Sequence, residues 1–391
     1  MEEFRELEFC DRRGTDSLKW DALESMFGRE DLLAAWVADM DLRAPSCVRE
    51  AMERYAQENL YGYYRVPGGF YDSFTNWMKQ YHDYTIEKEW IRFTPGVVPA
   101  IYWLIQILTD VDDAVAIMPP VYYPFGNAIR DTARTIVDIP LIEENGRYRM
   151  DLELFEEKIV KKKIRLFILC SPHNPVGRVW TAEELRAVLD LCRKHGVYVI
   201  ADEIHHDLIL GGCRHVTAAT VGRYESILVT LTSASKTFNL AGCQNAFAIL
   251  PNQAIRSKFD GFVRRINMQQ GANFGYIAYK AAFEGGRPWL EEVLRLIESN
   301  YHLLEDGLDE CLPAAVLSPL EGTYLAWIDL KAYLEGQDVE RIMRDECRIA
   351  VDLGEWFYND DYSGNDYHIR VNLATSPDNV RELVRRLSVI A

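Results

Sequence analysis

Between residues 114 and 201, short apolar runs alternate with helical stretches. This alternation constrains the fold more than any other feature of the chain. Residues 114–118, 135–139, 164–170 and 197–201 are apolar and rich in β-branched side chains, with the length of buried strands. The clearest helix between them opens at Thr181, where Glu184 completes a capping box and Gly196 supplies the stop. Strands separated by helices of ten or more residues imply a mainly parallel sheet covered on both faces. Such sheets bind ligands beyond the carboxyl ends of their strands. The polar clusters of unusual composition, at 119–124, 173–177, 202–206 and 233–236, all sit at strand ends of this kind.

The 391 residues are enough for two or three domains at about 150 residues each. The first 45 mix charges with aromatics and read as an irregular arm with short elements. Pro45-Ser46 then opens an amphipathic helix towards Glu58. Beyond Gly285-Gly286 the texture changes to a long helix over 288–308, strand-like runs at 323–330 and 369–373, a helix near 339–347, and a last helix from Asp378. The expected architecture is α/β, with a large domain over 46–286 built on a mainly parallel sheet. A smaller α/β domain is expected from 287–391 together with the arm, 1–45.

The formal net charge of −17 argues against a nucleic-acid binder and against docking on an anionic membrane. The longest apolar run, 97–108, is too short to span a bilayer. The first residues are charged and have no apolar signal core. Eight cysteines are scattered without a Cys-x-x-Cys pair, which suits free thiols in a reducing cytoplasm. The histidines lack zinc-ligand spacing, and no metal is expected.

Chemistry concentrates at Ser233-Ala234-Ser235-Lys236, between an apolar run at 226–231 and another at 245–250. Burying an ammonium is costly, and burial lowers a lysine's pKa and makes it nucleophilic. This spacing suits a lysine that holds an aldehyde cofactor while nearby hydroxyls hold its phosphate. By itself it also suits a surface lysine in a Ser/Thr loop.

Other stretches widen the pattern: Arg13-Gly14-Thr15, Trp36-Val37-Ala38-Asp39-Met40-Asp41, Thr94-Pro95-Gly96-Val97, Pro120-Val121-Tyr122-Tyr123-Pro124, Ser171-Pro172-His173-Asn174-Pro175, Asp202-Glu203-Ile204-His205, Glu321-Gly322-Thr323-Tyr324 and Arg370-Val371-Asn372. In this order and spacing, over nearly the whole chain, the sequence resembles the fold-type I pyridoxal-phosphate enzymes. Within them it is most similar to the cystathionine β-lyase (carbon–sulfur lyase) branch.

The resemblance implies pyridoxal 5'-phosphate held by Lys236, with Asp202 opposite the pyridine nitrogen to keep it protonated. It implies Tyr122 against the ring, Asn174 at the phenolic oxygen, and His205 orienting the cofactor side. The phosphate would lie at Gly96 and Val97, which open a helix, with Ser233 and Ser235. Arg370 would clamp the substrate α-carboxylate with Asn174, and Tyr123 would add a polar contact. Tyr64 would reach the phosphate from a neighbouring subunit, so a homodimer with shared sites is implied.

Taken singly, these residues admit plainer readings. Asp202 suits a helix cap, His205 a satisfied core histidine, Asn174-Pro175 a turn, Tyr122 and Tyr123 core or loop aromatics, and Arg370 a surface ion pair. Two departures stand out. Gln244 occupies the position, eight after the lysine, where many related aminotransferases carry arginine. Residues 359–364 replace the family's Gly-rich stretch. The implied reaction is cleavage of a Cβ–S bond in L-cystathionine or a related S-substituted cysteine, giving a thiol, pyruvate and ammonia. An aminotransferase would use the same groups. A regulator that binds a transcription factor is a third reading from another class.

Overall fold

The computed structural model describes residues 4–359 and 366–391. These residues build a seven-stranded sheet whose strands run, edge to edge, Ile91–Thr94, Ala246–Ile249, Leu228–Thr232, Tyr198–Asp202, Ile164–Cys170, Ala114–Ile117 and Thr135–Asp138. Ala246–Ile249 is antiparallel to both its neighbours, and the other pairings are parallel. Leu228–Thr232 is buried along its whole length, as expected of a strand with helices on both faces. The helices Val97–Leu108 and Gln253–Arg265 share one apolar core with one face of the sheet. Leu152–Lys162 and Ala182–His195 share another with the opposite face. The capping box is formed: Thr181 Oγ1 accepts from the Glu184 N–H at 3.2 Å, and the Glu184 carboxylate accepts from the Thr181 N–H at 2.8 Å.

Two boundaries differ from expectation in a way that matters for the site. Asp202 is the last residue of its strand rather than the residue after it. Lys236 lies in a one-turn helix, Ala234–Thr237, capped by Ser233. The helix Phe70–His82 was not legible because no side chain caps it and Gly69 precedes it.

A second, four-stranded sheet runs Val316–Leu317, Leu325–Asp329, His368–Asn372 and Asp352–Leu353, antiparallel throughout. The long helix expected at 288–308 spans Arg287–Cys311. The helix expected over 339–347 is instead one turn, Val339–Arg341, continued by a wider π-type turn, Ile342–Glu346. The N-terminal arm joins this region, where Leu33–Ala34 pairs in parallel with Ile349–Ala350.

From there the chain crosses as a strap, residues 36–42, held by side chains at both sides. Asn372 Nδ2 donates to the Val37 and Asp39 carbonyls, both at 2.6 Å. Asn239 accepts from the Met40 N–H at 3.0 Å and donates to the Met40 and Leu42 carbonyls. Under the strap Lys19, 0 % exposed, meets Asp41 at 2.7 Å. Asp41 also accepts from Trp20 Nε1 at 2.8 Å. Breaking a buried pair leaves an uncompensated charge. Lys19→Met is therefore expected to cost about 3 kcal/mol of stability, read as a lower urea midpoint. An unchanged midpoint would show that the arm's anchor lies elsewhere.

Candidate active site

The carboxyl ends of three neighbouring parallel strands converge with the strap on one cavity of about 200 Å³. Tyr198–Asp202 delivers Asp202 and His205, Ile164–Cys170 delivers Asn174, and Leu228–Thr232 delivers Ser233, Ser235 and Lys236. Tyr122 enters after Ala114–Ile117, and Gly96 and Val97 after the edge strand Ile91–Thr94. Nine of the residues singled out from the sequence thus line one space: Gly96, Val97, Tyr122, Asn174, Asp202, His205, Ser233, Ser235 and Lys236.

Burial sets the electrostatics. Desolvation pulls the Lys236 amine down to about 8, opposed by Asp39 and Asp202 and reinforced by Arg370. Desolvation also pushes Asp202 up to about 7, opposed by the Ile204 N–H, which it accepts at 3.1 Å, and by Lys236. His205 is held well below its usual range by burial and by the nearby cations Lys236 and Arg370, so its ring is neutral. Its Nδ1 has no hydrogen-bond partner among the described residues, so His205 is not a satisfied core histidine. Burial raises the Tyr122 hydroxyl and keeps it protonated.

Arg370 is buried in the second sheet, not on the surface. Its Nη1 donates to Asn174 Oδ1 at 3.0 Å and its Nη2 to the Trp36 carbonyl at 3.1 Å, and the guanidinium is ion-paired with Asp352. It lies over the Phe357 ring at 5.0 Å. No sequence signal marks Asp352, since its two-residue strand, Asp352–Leu353, carries no pattern.

Tyr123 does not line the cavity; its ring packs on Trp356 and Phe357. Tyr64 does not line it either, and packs on Tyr276 with ring centroids 6.4 Å apart. At the far end Ser233 Oγ donates to the Asn245 carbonyl at 2.7 Å and lies 2.9 Å from the Tyr279 hydroxyl. Tyr279, Asn245 and Gln244 line that end, and the Asn245 side-chain amide has no partner among the described residues. Of these, only Gln244 carried a signal in the sequence. Of the replaced stretch 359–364, Asn359 donates to Asp138 at 2.5 Å; residues 360–364 lie outside the described residues.

An amine of lowered pKa, a buried carboxylate across from it, and a flat aromatic beside them fit an aldehyde cofactor with a basic ring. A helix N-terminus, two serine hydroxyls and an unpartnered amide fit its phosphate. The open Nδ1 of His205 and the raised Asp202 are the features a bound pyridinium ring would satisfy. This donor set defines a site of the pyridoxal-phosphate class.

Comparison with known proteins agrees. Residues 37–387 match the family model described as aminotransferase class I and II. The chain is 36% identical to cystathionine beta-lyase PatB of Bacillus subtilis over 384 residues, 97% of this chain and 98% of that one. Its structure superposes on cystalysin from Treponema denticola, which contains pyridoxal 5'-phosphate, with a TM-score of 0.93 at 31% identity, covering 99% and 98% of the two chains. A PLP-bound putative aminotransferase from Clostridium difficile superposes with a TM-score of 0.95 at 36% identity, covering 99% and 100%. The chain belongs to the class I and II aminotransferase family of fold-type I pyridoxal-phosphate enzymes, in the branch that holds the cystathionine β-lyases.

The geometry generates a direct test. The purified protein should be yellow, and borohydride should fix the cofactor on the peptide that contains Lys236. Fixation on any other lysine would overturn the assignment.

Proposed function

We propose that the protein is a pyridoxal-phosphate-dependent carbon–sulfur β-lyase acting on L-cystathionine or related S-substituted L-cysteines. The observation that carries this reading is the end-to-end likeness to a cystathionine β-lyase at 36% identity, with the lysine and carboxylate it needs lining one cavity and the Arg370 guanidinium bound behind its wall to Asn174.

When bound, pyridoxal phosphate supplies an aldehyde for amines and a ring that takes up the electrons of the substrate's Cα–H bond. Arg370 and Asn174 bind the α-carboxylate and set the Cα–H bond across the cavity floor. Lys236 moves the proton: with a pKa of about 8 its amine is neutral in a useful fraction near neutral pH. Asp202 holds negative charge at the inner end of the cavity, where a ring nitrogen would sit. Tyr122 and His205 wall the space and exclude water. The Cβ–S bond then breaks and a thiol leaves. The remaining aminoacrylate takes up water to give pyruvate and ammonia; cystathionine would give homocysteine.

An aminotransferase would use the same lysine, carboxylate and clamp. Arg370, the buried arginine that binds the cavity-lining Asn174, is already paired with Asp352. No arginine stands among the cavity-lining residues to select a dicarboxylic partner.

The same proposal includes a homodimer with shared sites and a cytoplasmic location. Leu60, Tyr61 and Tyr63 are exposed beside Tyr64, which suits a face covered by a second copy that receives Tyr64 at its phosphate end. The eight cysteines stand as free thiols, which suits a reducing compartment. A large domain over 46–286 and a small one from 1–45 with 287–391 are supported by the two separate sheets.

Two outcomes are expected. L-cystathionine or an S-alkyl-cysteine should yield pyruvate and ammonia in equal amounts with no 2-oxo acid added, while alanine and glutamate turn over poorly. An absolute requirement for a 2-oxo acid, with no thiol released, would make the protein an aminotransferase. Separately, mixing impaired Tyr64→Phe subunits with Lys236→Ala subunits should restore activity, because one hybrid site keeps both groups. A monomer at micromolar concentration by light scattering would refute the shared site.

A further inference from the structure

We infer that Tyr324 is a positioning residue for the proton-moving amine and acts through the main-chain carbonyl of Ala38. The inference rests on the reading of Lys236 as the group that takes the Cα proton. Ala38 O accepts from Lys236 Nζ at 2.6 Å and from the Tyr324 hydroxyl at 2.8 Å. One carbonyl therefore serves both the amine and a buried tyrosine from the second sheet's side of the cavity. Two stretches that the family reading left without a task, 36–41 and 321–324, meet at this atom.

The amine needs such a partner when it carries the proton. Once it has taken the Cα proton it is an ammonium in a space whose burial disfavours charge. The charged and titratable groups that bear on it are Asp39, Asp202, Arg370 and His205. Asp39 is engaged by Arg12 at 2.5 Å, and Arg370 repels the charge. A carbonyl already aimed at the ammonium stabilises it without reorganising at the moment of transfer.

The strap that supplies this carbonyl has no ladder of its own over 36–40, so other groups must aim it. Arg370 takes the Trp36 carbonyl, and Asn372 takes those of Val37 and Asp39. These contacts leave the Ala38 carbonyl turned the other way, towards Lys236. Tyr324 then fixes it. Tyr324 is 1% exposed, and burial raises its hydroxyl well above the usual tyrosine range, so it remains a donor at every working pH. The His205 ring meets it edge-on at 5.9 Å.

The test is Tyr324→Phe, which keeps the ring and removes the donor. Exchange of the α-proton of L-alanine with D2O, followed by NMR on the holoenzyme, reads proton transfer apart from elimination. Its kcat should fall about tenfold with KM unchanged, the size expected for one hydrogen bond supporting a charged group. A second readout uses the cofactor-free protein. The pH profile for reductive methylation of Lys236, scored by mass spectrometry, should move to lower pH as the ammonium loses its fixed acceptor. Asn372→Ser, which loosens the same carbonyl from its flanks, should show the same pattern and carries the test if Tyr324→Phe does not fold. Unchanged exchange and an unchanged methylation profile overturn the inference, and so does a raised KM at constant kcat. Exchange of the L-alanine α-proton by a wild type that releases no thiol from L-cystathionine would overturn the β-lyase reading alone and leave this inference standing.

Discussion

A single buried guanidinium ties the molecule together. Arg370, 3% exposed, is held by Asn174 beyond the parallel sheet, by the Trp36 carbonyl of the strap, and by Asp352 of its own sheet. These partners lie 196, 334 and 18 residues away in sequence. A desolvated charge is tolerable only when such partners are in place, and removing one of them is costly. The clamp therefore exists only once both sheets and the arm have assembled. Its Nε is buried and has no partner among the described residues.

The cavity is built at the expense of local stability. Lys236 titrates below its ordinary value and Asp202 above. A lysine whose folded pKa is depressed opposes folding below its unfolded pKa, and the cost is fully present once the pH lies below about 8. A carboxylate whose folded pKa is raised opposes folding above its unfolded pKa, and that cost is fully present above about 7. Near pH 7 to 8 both costs are close to full. A ligand that offers an aldehyde to the amine and a protonated ring nitrogen to the carboxylate relieves both, so its binding is coupled to the stability of the fold.

Lys236, Asp202, Asn174 and Tyr122 were legible because a parallel sheet gathers the ends of its strands at one edge, and strand ends can be read from apolar runs. Gly96 and Val97 were legible because a helix start has a local signature. Asp352, Tyr279 and Asn245 were not. Asp352 sits in a two-residue strand, and Tyr279 is an inward-facing position on the helix Asn273–Gly285 that any large side chain could fill. Their importance comes from what they meet across the fold, and no spacing along the chain records it. Tyr123 and Tyr64 show the converse. They sit in conspicuous aromatic clusters, and the fold of one chain keeps both off the cavity wall. Tyr324 belongs to a motif of the sequence, but its contact with the strap depends on a crossing that brings residue 38 to residue 324.

Lys236 is placed with a precision that its own helix cannot supply. One turn of helix, Ala234–Thr237, is too short to be stable by itself. Its position is set from outside at both ends. Ser233 caps it and is in turn bound to the Asn245 carbonyl. Thr237, the next residue after the lysine, donates to Asp207 Oδ2 at 2.8 Å. Asp207 is fully engaged: Oδ1 accepts from Trp77 Nε1 at 3.0 Å and His82 Nε2 at 2.7 Å, and His206 lies 3.2 Å from Oδ2. The two imidazoles hold this buried carboxylate well below the usual range, so it stays ionised where burial alone would neutralise it. Just past the turn, Asn239 binds the strap at Met40 and Leu42. The strap that offers Ala38 to the amine is thus pinned to the same turn that carries the amine, which fixes the distance between them even though one lies near the start of the chain and the other past its middle.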